Sequence, residues 1–249
     1  MAENRPQRVA DGVHRLGSRF VNWYAVEDGD RLTVVDCGLP KFFEQVEPGL
    51  SAFGRSMDDV AAIVLTHGDG DHVGFAERLR KAASAPVSIH DKDVHLATTT
   101  DQKKTESSIL PYLRHGAAWQ LLTHFMANGG LRPPPVAEVT AYEDGDTLPV
   151  PGSPRVVFTP GHTDGHCAIH FPQHGVVFAG DAMCTWNPLT GRTGSQLMPS
   201  AFNVSSERAM ASLDALEATG AETVLPGHGE PWTEGAAAAV AAARERGPT

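Results

Sequence analysis

Cysteine is scarce in this chain. The three present, Cys37, Cys167 and Cys184, are odd in number and widely spaced, so neither a disulfide framework nor a C-x-x-C zinc site is suggested. A reducing, cytoplasmic setting is the corresponding expectation. Positive charge is also short: 20 Lys and Arg stand against 30 Asp and Glu, a formal net charge of -10. Nucleic-acid binding needs a basic stripe that displaces counterions, and the sequence carries none. Nor do Lys and Arg cluster as a membrane-surface patch would require. The longest apolar runs are strand-length, well below the roughly 20 residues of a membrane span. The opening MAENRPQRVADG is polar with no apolar stretch behind it, so no secretory signal is expected. These absences leave a small molecule as the expected partner.

What remains is ordinary globular material, 41% hydrophobic and 20% charged, with no low-complexity linker. That composition suits one domain over 1–249. Short apolar runs set off by turns read as strands: VNWYAV, RLTVVDCG, AAIVLT, APVSIH, RVVFTPG, HCAIHF, GVVFAGD and AETVLPG. Helices are predicted over KFFEQVEPGLSAF, which Pro48 should kink or shorten, over about 75–83 and 206–218, and in the Ala-rich end. Between about 91 and 135 the pattern turns helical around Leu113, Ala117 and Leu121 until RPPP stops it. This stretch reads as a helical insertion near the site. It is either a helical pair packed on the core or a lid that turns Tyr112, His115 or Trp119 toward substrate.

Several strands share an ending. VLTHGDGDH, VFTPGH, VFAGD and VLPGH each run from apolar residues through a turn into His or Asp. Strand ends on a rigid scaffold are where functional groups gather, so these four are expected to build a single site. Within HGDGDH, alternate positions share a side, which brings His67, Asp69 and Asp71 together with His72 beside them. Gly68 and Gly70 are expected to permit tight or positive-φ backbone and to clear room. Carboxylates and imidazoles packed this densely call for a cation, and the donor set suits Zn, Fe, Mn or Co. Neither a G-x-S-x-G elbow nor a Walker-type loop occurs, which leaves a metal-activated water as the best nucleophile.

Taken in order, THGDGDH, PGHTDGH, FAGD and LPGHG closely resemble the metallo-β-lactamase superfamily, whose signature is H-x-H-x-D-H followed by a distant His, Asp and His. The resemblance implies an α/β fold, an αββα sandwich of two mixed sheets flanked by helices, with the metal site at one edge. It implies two divalent metal ions, zinc by family habit. His67, Asp69 and His162 would hold the first and Asp71, His72 and His228 the second, with Asp181 bridging. Asp71, His67 and His228 are expected to carry catalysis. The implied chemistry is a metal-bridging hydroxide that cleaves a small ester, lactone, thioester or amide-like bond, β-lactams included. Asp36 is expected to orient ligands or cap a turn, His166 to be structural, and Cys184 to be packed.

Asp69 departs from the family pattern, which has His there. Three carboxylates then replace the usual two, which would weaken Lewis acidity at the first ion and favour a harder ion such as Mn or Fe. Flavodiiron proteins of the superfamily likewise place a carboxylate here and bind iron. Alternatively, Asp69 does not ligate and one site stays weak. Two other functional classes are compatible with the motif: an iron oxidoreductase resembling persulfide dioxygenases, and a metal-binding domain with little catalysis.

Overall fold

Apolar runs buried on both faces build two sheets face to face. The computed structural model describes residues 6–248. In one sheet, β1 (Gln7–Ala10), β2 (Val13–Gly17), β3 (Asn22–Asp28), β4 (Arg31–Val35), β5 (Val60–Val64), β6 (Val87–His90) and β7 (Thr140–Tyr142) lie side by side in chain order. The first four pair antiparallel; from β4 onward the pairing is parallel. The other sheet comprises β8 (Arg155–Phe158), β9 (Cys167–Phe171), β10 (Val176–Gly180) and β13 (Thr223–Pro226), with β13 beside β10 in parallel. A separate hairpin joins β11 (Cys184–Trp186) to β12 (Thr193–Gln196). The short strands β1, β7, β11 and β12 have too little alternation to be read from sequence.

Among the described residues six α-helices accompany them: α1 (Phe43–Ser51), α2 (Ala76–Ala83), α3 (Val94–Thr98), α4 (Gly116–Ala127), α5 (Ser206–Ala218) and α6 (Ala236–Arg246). The predicted first helix runs through Pro48 and stops at Ser51, short of its expected end at Phe53. Pro48 has no N–H to give the Glu44 carbonyl, so one helical bond is lost and the helix ends three residues later.

The period-two rule assigns each face. Tyr24 and Val26 point between the sheets, where Tyr24 meets Phe178 edge-on at 5.0 Å. Their neighbours Trp23 and Ala25 point the other way, and Trp23 packs on Phe75 beside α2 at 5.3 Å. Across the second sheet, Val176 and Phe178 face inward while Val177 and Ala179 meet Leu213 of α5 and Val240 of α6. The result is an αββα sandwich. Each large apolar side chain buried this way contributes roughly 1.5–3 kcal/mol, so the core holds the strand ends rigidly. Strands β5, β8, β10 and β13 all deliver their C-terminal ends to one edge.

Residues 91–135 begin with a 3-10 turn at Asp91–Asp93 and α3, then run without helix or strand from Thr99 to Ile109. A 3-10 turn at Leu110–Arg114 leads into α4, whose Ala118 and Leu121 join the helix-side core. The segment thus holds one short helix, one long helix and two 3-10 turns, with an irregular stretch between them.

Candidate metal centre

The seven side chains singled out from sequence meet at the sandwich edge. His67, Asp69, Asp71 and His72 follow β5; His162 follows β8; Asp181 follows β10; His228 follows β13. Three overlapping groups have ligand atoms within 4.8 Å of one another: His67–His72–Asp181, His67–Asp69–His162 and Asp71–His72–His228. Asp181 lies between the halves, with Oδ2 at 3.3 Å from His162 Nε2 and 3.2 Å from His228 Nε2. Its Oδ1 is 3.5 Å from His72 Nε2.

Each imidazole is oriented by its other nitrogen. His72 Nδ1 bonds Asp36 at 2.8 Å, and His228 Nδ1 bonds the Phe20 carbonyl at 2.5 Å. His162 Nδ1 meets Asn203 Oδ1 at 3.1 Å, and His67 Nδ1 meets Thr66 Oγ1 at 3.0 Å. Asn203 spends its amide N–H groups on Met198 O and Ser206 Oγ, so its oxygen accepts from His162. Thr66 donates its hydroxyl to Asp36 and therefore accepts from His67. In all four rings Nδ1 makes the outward bond, and Nε2 points into the cluster. This is the arrangement seen in metal-binding histidines.

Two observations show that the set fits a cation. Buried atoms His67 Nε2, His72 Nε2 and Asp181 Oδ1 have no hydrogen-bond partner, a costly state unless something electropositive sits among them. Backbone is also cleared to form the cradle. A Cβ on Gly227 would lie 2.3 Å from Asp181 Oδ1 and 2.6 Å from His72 Cε1.

Electrostatics follow the same logic. Burial opposes ionisation of Asp181, yet His228, His72 and His162 outweigh it and hold the carboxyl well below its ordinary range. Burial likewise opposes protonation of His72, but Asp36, Asp181 and Asp71 prevail and raise it well above the usual imidazole value. Asp181 and Asp71 do the same for His228. His67, buried beside His72 and His162, is driven well below.

A sequence model described as the metallo-beta-lactamase superfamily matches residues 16–228. The chain belongs to that superfamily. Among similar proteins, the probable metallo-hydrolase YflN of Bacillus subtilis is 27% identical over 235 residues, covering 90% of this chain and 86% of YflN. A hydroxyacylglutathione hydrolase of Cereibacter sphaeroides is 29% identical over 136 residues, 55% of this chain but only 39% of that protein. The solved Rm3 metallo-beta-lactamase superposes with a TM-score of 0.71 at 19% identity, covering 98% of this chain and 92% of its own; that likeness speaks to the fold alone.

As a superfamily member, the chain carries supports that its motifs do not reveal. Asp93, fully buried on the 3-10 turn after β6, accepts from Gly68 N at 3.0 Å, Thr163 Oγ1 at 2.6 Å and Gly165 N at 2.7 Å. It thereby ties the HGDGDH loop to the PGHTDGH turn. His166 is neutral, its pKa lowered by burial, and its Nε2 accepts from the Asp181 backbone N–H at 2.9 Å. Its role is structural. Of the roles expected for Gly68 and Gly70, positive φ is not found at either, whereas cleared room is. They are needed for close approach, since a Cβ at 68 would meet Leu96 Cβ at 2.5 Å and one at 70 would meet Pro133 at 2.7 Å.

Asp69, where the family has His, carries a charge partner. Its Oδ2 receives Lys103 Nζ at 2.5 Å, a contact invisible in the sequence pattern. Burial opposes its ionisation, but Lys103 and His162 outweigh that and depress its pKa. An Asp–Lys pair is net neutral, as the family histidine would be. The surplus negative charge expected from three carboxylates is therefore offset within the site.

Over the cluster opens a cavity of about 1050 Å³. Asp69, Asp71, His162, Asp181 and His228 line its floor, Lys103 and Arg132 are among its other polar groups, and Leu96, Ile109, Leu121, Phe125, Leu131 and Phe202 supply apolar wall. Tyr112, His115 and Trp119, suggested as substrate-facing, do not line it. Tyr112 bonds Ser200, Trp119 donates to the Leu113 carbonyl, and His115 pairs with Arg114. Cys184 is buried under the site and packed, as expected.

Proposed function

We propose that this protein is a metal-dependent hydrolase of a small ester, lactone, thioester or related carbonyl substrate. The observation that carries the reading is the convergence of four imidazole Nε2 atoms and three carboxylates, two of the imidazole nitrogens and one carboxylate oxygen being otherwise unpartnered. His67, Asp69 and His162 would hold one divalent ion and Asp71, His72 and His228 another, with Asp181 shared; zinc is the ion we favour. Bound there, such ions supply Lewis acidity and an activated water at neutral pH. Around them the chain does the rest. Asp71 lines the cavity, with Oδ2 3.4 Å from His228 Nε2. His67 and His228 are held immobile by their Nδ1 partners, and apolar walls exclude bulk water from one side of the cavity.

The likeness to a hydroxyacylglutathione hydrolase supports a thioester among the candidate substrates. The three cysteines are free and buried, which supports our placing the protein in a reducing cytoplasm. Among the described residues, no helix is long and apolar enough to cross a membrane. A panel of generic esters, thioesters, lactones and a cephalosporin tests the proposal. Turnover abolished by chelator, restored by added metal and lost in Asp71→Ala is the expected result. Oxygen uptake with a persulfide, and no hydrolysis, would overturn it.

A further inference from the structure

Lys103 enters the cluster from the segment between α3 and the Leu110–Arg114 turn, and its side chain is nearly buried there, 10% exposed. Its ammonium lies 2.5 Å from Asp69 Oδ2 and 2.8 Å from His162 Nε2. Those two acceptor atoms are 3.0 Å apart. His162 spends its only ring proton on Asn203, so Nε2 and the carboxylate face each other as two lone pairs. Such a contact is repulsive unless a cation bridges it, and the ammonium does so with two charge-assisted hydrogen bonds. The other half differs: among the described residues no lysine or arginine reaches His72 Nε2, which has no hydrogen-bond partner.

We propose that Lys103 is an internal competitor for the first metal ion, so that the two halves of the centre bind metal with unequal affinity. The proposal rests on the metal-centre reading above. A dication and an ammonium cannot both occupy the gap between Asp69 and His162. Filling the His67–Asp69–His162 half therefore requires Lys103 to withdraw and give up both bonds. The Asp71–His72–His228 half is open and fills first. Residues 99–109 form no helix or strand, so withdrawal breaks no regular backbone ladder. Asp69 and Lys103 act as a unit: the carboxylate that replaces a family histidine brings its own counter-ion.

Chelator-stripped protein titrated with zinc, and separately with manganese, by calorimetry and by competition with a chromophoric chelator tests this. Two binding steps are expected in the wild type, the second weaker by about 100-fold or more. In Lys103→Met the second step should tighten by at least about tenfold, while Lys103→Arg, which retains the charge, should keep the weak step. Lys103→Gln, a polar replacement, serves should the methionine variant misfold, as judged by circular dichroism. Two equal ions in the wild type, or an unchanged second step in both neutral variants, would overturn the proposal while leaving the metal centre standing. If neither protein takes up any ion, the metal centre itself is refuted.

Discussion

Asp36 Oδ2 accepts His72 Nδ1–H at 2.8 Å from a backbone held at φ 60°. That left-handed conformation costs a non-glycine residue about 1–2 kcal/mol, and it persists where the end of β4 must turn a carboxylate back toward β5. The same carboxylate also receives Thr66 N and Thr66 Oγ1. Asp36 thus sets two rings at once, His72 directly and His67 through the threonine. In Asp36→Ala both imidazoles lose their anchor, and metal affinity should fall by about 10–100-fold. Competition with a chromophoric chelator measures it. Affinity equal to wild type would remove Asp36 from the site's support.

Gly227 gives the sharpest steric test. The Cβ of Gly227→Ala would intrude on Asp181 Oδ1 and the His72 ring, the space a cation would occupy. Metal uptake and hydrolysis should both collapse while circular dichroism stays native, because the intrusion is into the cradle and not the core. Full metal loading in this variant would contradict the assignment of the cradle.

Loss of Asp93 should show in stability first. Asp93→Ala strands Gly68 N, Gly165 N and the Thr163 hydroxyl inside the protein. Since each buried donor left unpaired costs about 1–3 kcal/mol, urea unfolding should show a loss of at least about 2 kcal/mol. Metal affinity should drop as well, since the clamp joins the loops carrying both halves. A stability change within about 0.5 kcal/mol, the range of ordinary surface substitutions, would show the clamp to be dispensable.

A pH-dependent contribution is expected from Glu77 on α2. It accepts from Arg80, Lys81 and the Ala137 backbone N–H, pinning the chain where it returns from residues 91–135. The Arg80 hydrogen bonds chiefly, with Lys81 and Ala137 assisting against burial, lower its pKa from 4.5 to about 2. A carboxyl depressed by folding adds stability that is complete above its unfolded value and disappears as pH falls through the folded one. Glu77→Gln should therefore melt below wild type at neutral pH, with the gap closing between pH 4.5 and about 2. A gap that widens in acid would reverse the sign and refute the account.

Much of the centre could be read from residue order because its information is local. Apolar alternation followed by a turn and a His or Asp marks each strand end, and the period of the backbone decides which side chains share a face. Thus the strands ending at Val64, Phe158, Gly180 and Pro226 and the seven clustered side chains were all foreseeable. Nothing local marks Lys103, which sits in a segment without periodicity and meets Asp69 34 residues away. Nothing marks Asn203 as the partner of His162, or Asp93 as a clamp between two loops. The Phe20 carbonyl that orients His228 belongs to every residue's backbone and leaves no trace in composition. Such contacts come into being when two sheets dock and a loop folds over their edge. The chain's local chemistry set which groups could bind a cation; long-range packing set their tautomers, their supports and the ammonium that competes for one half.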